Sequence, residues 1–272
     1  MTMHLTPIRP WLGAEVTGLD LRHALDAQTV AGLLASLHTT GLLLFRKQDM
    51  SEQDTLRFVS YFGKISRLGS IQKSLKNGIS YVSNTRADGT FGSGELLFHN
   101  DATFYETPCK AITLYGVEVP RSGGSTIFSS TAHALKQMPE TLRARLARCK
   151  SRSFIDYADV DYGSRKQQEI SVMRAERIYP VMMQHPWSDQ TILLMSQHRS
   201  RILDEAGEES PELMRQVDEY VSDPRWTYTH QWQVGDLVFW DNFLLQHARP
   251  RLNEGESRTL RRCIVAHEDE PA

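Results

Sequence analysis

Two side chains of types that bind metal ions lie two residues apart in the segment LLFHNDATF, residues 96–104. If residues 98–103 are extended, His99 and Asp101 occupy positions i and i+2 and leave the same face of the strand. Two histidines and one carboxylate on one face of a metal ion leave the opposite positions open, which is the arrangement of non-haem Fe(II) oxygenases. Taken alone, the pair is also explained by a hydrogen bond between the two side chains or by contact with solvent.

A third ligand must come from elsewhere, and the segment WDNFLLQHA, residues 240–248, offers His247. This histidine follows a buried-looking strand, residues 237–240, and is predicted to lie in a turn that mixes apolar and polar residues. Without the HxD pair, it would be better explained as a hydrogen-bonded histidine of the core or rim.

Two further segments could bind a carboxylate. Arg258 opens an apolar stretch that also holds Arg261 and Arg262. Arginine suits bidentate capture of a carboxylate, whereas an exposed charge on a strand is the simpler alternative. In GGSTIF, residues 123–128, paired glycines let the backbone turn tightly before a strand, and the Thr126 hydroxyl could donate to a bound carboxylate. No GxxxxGK[ST] pattern is present, so a phosphate-binding loop is rejected.

Short strands predominate among the elements that must position these residues. Strands are predicted at 41–45, 111–119, 125–128, 192–195, 237–240 and 260–266. Helices are predicted at 25–38, 51–61, 131–149 (divided by Pro139) and 211–221. Many short strands and few helices favour a mainly β fold, a sandwich or barrel with flanking helices, as one domain over residues 1–272.

Two stretches show little periodicity. Residues 64–94 are rich in Gly, Ser, Asn and Lys, and long irregular stretches of this kind are often functional loops. We therefore predict an active-site lid within 64–98. A polar segment of mixed charge, around 150–178, is predicted to be an insertion.

The composition excludes several classes of protein. The 272 residues carry 31 basic and 33 acidic side chains, so no basic surface suggests nucleic acid or an anionic membrane as a partner. Cys109, Cys149 and Cys263 are far apart and form no CxxC pair, which disfavours a disulfide framework or a thiolate zinc site. No secretory signal or membrane-spanning run is evident. We expect a globular protein of the reducing cytoplasm.

The motifs HNDAT, GGSTIF, WDNFLLQHA and the arginines of 258–262, in this order, resemble the taurine dioxygenase family of Fe(II)- and 2-oxoglutarate-dependent oxygenases. That family includes the 2,4-dichlorophenoxyacetate dioxygenases. The likeness covers most of the chain, because residues 13–21 look like the family's opening strand and turn, and residues 43–46 look like its first core strand. The resemblance implies a cupin-like double-stranded β-helix, or jelly roll, with metal and cosubstrate bound inside its mouth.

Carried over by position, the resemblance also implies roles for single residues. The iron ligands of the family match His99, Asp101 and His247. Thr126 and Arg258 match the groups that hold the distal carboxylate of 2-oxoglutarate, and Arg262 matches a second arginine that touches the cosubstrate or an anionic substrate in relatives. The implied reaction uses Fe(II), 2-oxoglutarate and O2, releases succinate and CO2, and oxidises a substrate C–H bond. Because related halogenases lack the carboxylate ligand, its presence favours hydroxylation or desaturation. A homodimer or homotetramer is expected by analogy.

The substrate side departs from taurine dioxygenase itself, which has an asparagine four residues before its HxD motif and a histidine in the upstream loop. Here Glu95 takes the asparagine position, and residues 64–94 contain no histidine. A carboxylate would repel a sulfonate, so we expect not taurine but an amine- or hydroxyl-bearing metabolite, such as an amino-acid derivative. A surface glutamate is the alternative. The other residues predicted near the substrate are Tyr81, Asn84, Phe104, Gln197, His198 and Trp232.

Two functions of other classes compete with an oxygenase. A metal-dependent hydrolase would use the same His and Asp ligands but would leave Arg258 and Thr126 without a role. A non-catalytic jelly-roll binding protein is disfavoured because all three ligand positions are filled.

Overall fold

The described residues form two main β-sheets, of eight and four strands, two smaller sheets, of three and two strands, and flanking helices. The computed structural model describes residues 2–66, 77–156 and 174–269, which hold 17 strands and five helices. The strands are β1 (His4–Arg9), β2 (Leu12–Thr17), β3 (Leu42–Phe45), β4 (Ile79–Ser83), β5 (Gly89–Phe91), β6 (Leu96–His99), β7 (Ala111–Glu118), β8 (Thr126–Ser130), β9 (Lys150–Asp156), β10 (Arg174–Pro180), β11 (Met182–Gln184), β12 (Thr191–Leu193), β13 (Ser200–Leu203), β14 (Thr227–His230), β15 (Leu237–Asp241), β16 (Leu245–Arg249) and β17 (Thr259–Val265). The helices are α1 (Ala27–Thr40), α2 (Glu52–Ser60), α3 (Thr131–Gln137), α4 (Glu140–Leu146) and α5 (Pro211–Val221).

The larger sheet has eight strands in the order β1-β2-β3-β15-β7-β17-β4-β5, and a four-stranded sheet has the order β14-β8-β16-β6. From β6 to β8 and again from β15 to β17, successive strands alternate between these two sheets. This winding is that of a double-stranded β-helix, so the predicted mainly β jelly roll with flanking helices is confirmed. Strand β6 lies at the edge of the smaller sheet and pairs there with β16.

Alternating side chains divide the core into layers. Along β3, Leu42 and Leu44 pack between the two sheets, together with Phe128 of the smaller sheet. Leu43 and Phe45 point the other way, into a cluster covered by α1 and α2. A third cluster lies between the outer face of the smaller sheet and α3, α4 and α5. The space between the sheets is therefore where inward-facing polar residues of both sheets can meet.

Local sequence explains where the helices begin and end. The side chain of Asp26 accepts a backbone N–H of α1 at 2.7 Å, and the helix ends at Gly41, which has a left-handed φ of 80°. A Cβ at Gly41 would lie 2.8 Å from the side chain of Leu245, so only glycine fits this close approach to β16. The predicted capping box of α2, formed by Ser51 and Asp54, is present. No helix in the described ranges has both the length and the apolar character needed to cross a membrane.

One local prediction was wrong, and one assumed conformation differs from the structure. His247 was predicted to lie in a turn but lies within β16, whose residues are nearly all buried on both faces and so show no alternation. The same-face argument for His99 and Asp101 assumed that residues 98–103 are extended, but β6 ends at His99 and Asp101 lies in the turn that follows. Residues 131–149 divide at Pro139 into α3 and α4 as predicted.

The two irregular stretches contain strands where the structure describes them. The predicted lid region 64–98 holds β4, β5 and most of β6, and its residues 67–76 lie outside the described ranges. The predicted insertion around 150–178 holds β9 and most of β10, which pair with each other, and its residues 157–173 lie outside the described ranges. The lid, the insertion and the single domain over 1–272 stay predictions.

Candidate metal centre and carboxylate pocket

Three side chains of metal-ligating types lie together where β6 and β16 run side by side. His99 and His247 are directly paired across these two antiparallel strands, a position in which side chains on one face are close neighbours. Asp101 follows in the turn after β6. One ligand atom from each of the three residues lies within 4.8 Å of the other two, and His99 Nε2 is 3.3 Å from Asp101 Oδ1. The residues that the sequence predicts as iron ligands therefore lie together.

A buried asparagine holds this arrangement in place. The side-chain oxygen of Asn242 accepts the backbone N–H of Asp101 at 2.8 Å, while its nitrogen donates to the backbone carbonyls of Asp101 at 2.9 Å and Cys109 at 3.0 Å. The Asn100 side chain donates in return to the carbonyls of Asn242 at 2.6 Å and Leu245 at 3.1 Å. These bonds join the HxD turn to the β15–β16 turn. Neither asparagine was predicted to have a role, although Asn100 lies in the HNDAT motif and Asn242 in the WDNFLLQHA motif.

The protonation states of the three residues suit a cation. The Nδ1–H of His99 donates to the Leu97 carbonyl at 2.7 Å, so Nε2, which faces Asp101, is the ring nitrogen that could exchange its contact with Asp101 for a metal ion. Burial alone would raise the pKa of Asp101, but the hydrogen bond from His99 and the neighbouring charges, including Arg262, hold that pKa well below its usual range. Burial, reinforced by the charge of His99, lowers the pKa of His247 to about 3, so this imidazole is neutral at physiological pH.

Beside the triad lies a buried arginine that has no anionic partner among the described residues. Arg258 is 2% exposed; its Nε donates to the Gly124 carbonyl at 2.9 Å and its Nη2 donates to Thr126 Oγ1 at 3.1 Å. Trp232 Nε1 also donates to Thr126 Oγ1, at 3.0 Å. Since the Thr126 oxygen accepts both bonds, its own proton stays available for a ligand. Burial and the charge of Arg249 lower the pKa of Arg258 to about 9, so it remains a cation at neutral pH.

The geometry around Gly124 explains the paired glycines. Gly124 has a φ of +66°, and a Cβ there would lie 2.3 Å from Pro120 Cγ and 3.4 Å from Arg258 Cδ. Only glycine therefore allows the carbonyl of residue 124 to approach the guanidinium.

A single cavity between the sheets joins the triad to the arginine. Its polar lining consists of His99, Asp101, Thr126, His247, Arg249, Arg258 and Arg262. Its apolar lining consists of Val82, Phe91, Leu96, Leu114 and Trp240. Arg262 donates from Nε to Ser80 Oγ at 3.1 Å and from Nη1 to Asp101 Oδ2 at 3.4 Å. The six residues predicted as metal and cosubstrate ligands all line this cavity. Arg249 lines it as well and was not predicted.

None of the seven predicted substrate residues lines this cavity, and three of them have other surroundings. Tyr81 faces the helical side of the larger sheet, where its hydroxyl donates to Glu52 at 2.5 Å, so it is removed from the predicted substrate contacts. The side-chain oxygen of Asn84 accepts the backbone N–H of Arg258 at 2.9 Å and thus supports the backbone just before β17. Glu95 is exposed.

The remaining predicted substrate residues surround the site at different depths. Trp232 is buried, and its indole N–H donates to Thr126. The His198 ring lies 5.8 Å from the His99 ring, and burial lowers its pKa to about 3. Gln197 accepts the backbone N–H of Phe98 at 3.0 Å and so supports β6. Phe104 is half-buried against Tyr105, with 4.7 Å between ring centroids.

Comparison with known proteins gives one consistent family. The family model described as taurine catabolism dioxygenase TauD, TfdA family, matches residues 4–264. The alpha-ketoglutarate-dependent 2,4-dichlorophenoxyacetate dioxygenase of Cupriavidus pinatubonensis is 25% identical over 287 residues, covering 97% of this chain and 98% of the relative. The alpha-ketoglutarate-dependent sulfate ester dioxygenase of Pseudomonas putida is 28% identical over 278 residues, covering 98% and 91%. The solved structure of AAD-2 in complex with Mn(II) and N-oxalylglycine shares the fold, with a TM-score of 0.82 and 24% identity over 100% of this chain and 99% of that one.

Proposed function

Because the chain belongs to the TauD/TfdA family of Fe(II)- and 2-oxoglutarate-dependent dioxygenases, we propose that His99, Asp101 and His247 bind its catalytic iron. The observation that carries this assignment is that their ligand atoms lie within 4.8 Å of one another. The donor set fits Fe(II), since two imidazoles and one carboxylate on one face are the ligands of non-haem iron oxygenases. The Nδ1 atom of His247 is buried and has no hydrogen-bond partner in the described ranges. One ring nitrogen of this imidazole is therefore not satisfied by the described protein atoms.

The carboxylate pocket fits 2-oxoglutarate in the same way. Arg258 is a buried cation that no carboxylate of the described residues neutralises, and a dianionic cosubstrate would supply the missing charge. We assign the distal carboxylate of 2-oxoglutarate to Arg258 and Thr126. Trp232 orients the Thr126 oxygen so that its proton points to that carboxylate rather than to the indole.

The chain's own residues bind, orient and exclude water. Bound at this site, Fe(II) supplies the redox chemistry that couples conversion of 2-oxoglutarate and O2 into succinate and CO2 to oxidation of a substrate C–H bond. Arg262 holds one oxygen of Asp101 and thereby fixes the orientation of the carboxylate toward the cavity. Apolar side chains such as Phe91 and Leu114 keep the space around the reacting groups largely dry.

The substrate is a small organic molecule, and we propose one other than taurine. Since Glu95 is exposed and lies outside the cavity lining, it would receive an amine or hydroxyl group only from a substrate that extends to the mouth. His198 and Phe104 are the other residues that we assign to that mouth. Hydroxylation or desaturation is the proposed outcome, because Asp101 fills the carboxylate position.

An anaerobic titration tests the metal and cosubstrate assignment. Fe(II) and then 2-oxoglutarate are added to the protein, and a weak visible charge-transfer band is expected. His99→Ala should lose the band. His23→Ala should keep it, because the His23 side chain is 71% exposed and lies outside the cavity lining. A native protein without the band, or an unchanged band in His99→Ala, would overturn the proposal and favour a hydrolase or a binding protein.

A further inference from the structure

Arg249 is a buried arginine that has no role in the proposed reaction as described above. It lies on β16 two residues after His247, so both side chains leave the same face of the strand and point between the sheets. It is 3% exposed and lines the same cavity as Arg258 and Thr126.

The hydrogen bonds of Arg249 leave its charge uncompensated. Its Nη2 donates to the backbone carbonyl of Phe91 at 2.6 Å and to that of Gly94. Its Nε is buried and has no hydrogen-bond partner in the described ranges. In residues 2–66, 77–156 and 174–269, no carboxylate forms an ion pair with it, whereas Arg46 is paired with Asp236 at 2.6 Å.

A buried cation without an anion is costly, and a second one beside it raises the cost. Arg249 and Arg258 line one cavity, and the charge of Arg249 acts on Arg258. Two of the five N–H groups of Arg258 are already used by Gly124 and Thr126. One carboxylate has room for several donors on its two oxygens, so a single ligand carboxylate could compensate both arginines.

We propose that Arg249 and Arg258 together bind the distal carboxylate of 2-oxoglutarate, so that the cosubstrate is held by two arginines. This inference rests on the proposed function and adds Arg249 to the residues that select the cosubstrate. It distinguishes this end of the cavity from the Arg262 end, where the guanidinium is engaged by Asp101 at 3.4 Å.

The test compares two oxo acids that differ only in the distal group. 2-Oxoglutarate and 2-oxopentanoate, which lacks the distal carboxylate, are titrated anaerobically into the Fe(II)-loaded protein, and the dissociation constants are taken from the charge-transfer band. In Arg249→Gln, affinity for 2-oxoglutarate should fall at least about 10-fold, and affinity for 2-oxopentanoate should change less than about 2-fold. The matched control is Arg251→Gln, because Arg251 is exposed on the same segment; both affinities should stay as in the native protein.

Two further variants separate carboxylate binding from a structural role. Arg249→Lys keeps the positive charge but loses the planar guanidinium that can donate two parallel hydrogen bonds. This variant should retain part of the preference for 2-oxoglutarate even if Arg249→Gln does not fold. In the double variant Arg249→Gln/Arg258→Gln, the loss of 2-oxoglutarate affinity should be smaller than the product of the two single losses, since both side chains hold one group.

Equal weakening of both oxo acids, or no weakening of either, in Arg249→Gln would overturn the inference. Either result leaves the proposed iron and 2-oxoglutarate chemistry intact, provided that the native protein gives the band. A native protein that binds neither oxo acid would overturn the proposed function and this inference with it.

Discussion

Replacing Asn242 by alanine tests how the metal-binding side chains are held. The Asn242 side chain is fully buried and makes three hydrogen bonds, to the N–H of Asp101, to the carbonyl of Asp101 and to the carbonyl of Cys109. Its removal leaves the N–H of Asp101 and the carbonyl of Cys109 without these partners and leaves the carbonyl of Asp101 only the Cys109 thiol, at 3.8 Å. Each lost hydrogen bond costs on the order of 1 kcal/mol. We expect the free energy of unfolding to fall by about 3 kcal/mol. Because Asp101 loses its support, Fe(II) affinity should fall about 10- to 100-fold.

Two measurements check this expectation. Urea unfolding of the metal-free protein gives the stability difference, and anaerobic Fe(II) titration gives the affinity. Asn253→Ala is the matched control, since Asn253 is exposed and donates to Ser122 at the surface; its stability should stay within about 0.5 kcal/mol of the native value. If Asn242→Ala resembled Asn253→Ala in both measurements, the idea that this asparagine positions Asp101 would be refuted.

Three other changes probe the same fold. Thr126→Val removes the hydroxyl that accepts from Arg258, so 2-oxoglutarate affinity should fall about 10-fold in the anaerobic titration, while Thr126→Ser should stay close to native. Gly124→Ala should lower the urea unfolding free energy by about 2 kcal/mol, because its Cβ would lie 2.3 Å from Pro120; native stability would contradict the steric argument. Burial raises the pKa of Asp218 from 3.8 to about 7, so between these values the unfolded state binds fewer protons and stability falls as pH rises. Asp218→Asn should therefore be about 1–2 kcal/mol more stable than the native protein at pH 8 and equal to it near pH 4, after allowance for partial exposure; an equal difference at both pH values would contradict this.

The residues of the candidate site were predicted more accurately from the sequence than the strands on which they lie. The apolar runs of β3, β7, β15 and β17 are buried in the larger sheet and were predicted within a residue or two. Strand β16 was missed because both of its faces are buried, so it lacks the alternation that marks a half-exposed strand. Had it been recognised, the period of two from His247 would have indicated Arg249.

The misplacement of Tyr81 has an equally simple physical cause. A strand sends successive side chains to opposite faces, so an error of one residue moves a side chain across the sheet. On β4 the neighbours of Tyr81 face the cavity side: Val82 lines the cavity, and Ser80 accepts a hydrogen bond from Arg262. Asn242 and Asn100 escaped notice because their partners are backbone groups far away along the chain, which no local pattern reveals.

The pairing of β6 with β16 joins residues that are far apart in the chain, and this separation bears on how the polypeptide folds. The hydrogen bonds between Asn242 and Asp101 join residues that are 141 apart in the chain. Contacts between residues so far apart in sequence form slowly. A nascent chain presents His99 and Asp101 well before β16 has been synthesised, so a growing or partly folded chain cannot offer the complete set of ligands. With the proposed ligands, iron can be bound by all three side chains only after β16 has paired with β6, so iron binding would follow the folding of this part of the chain.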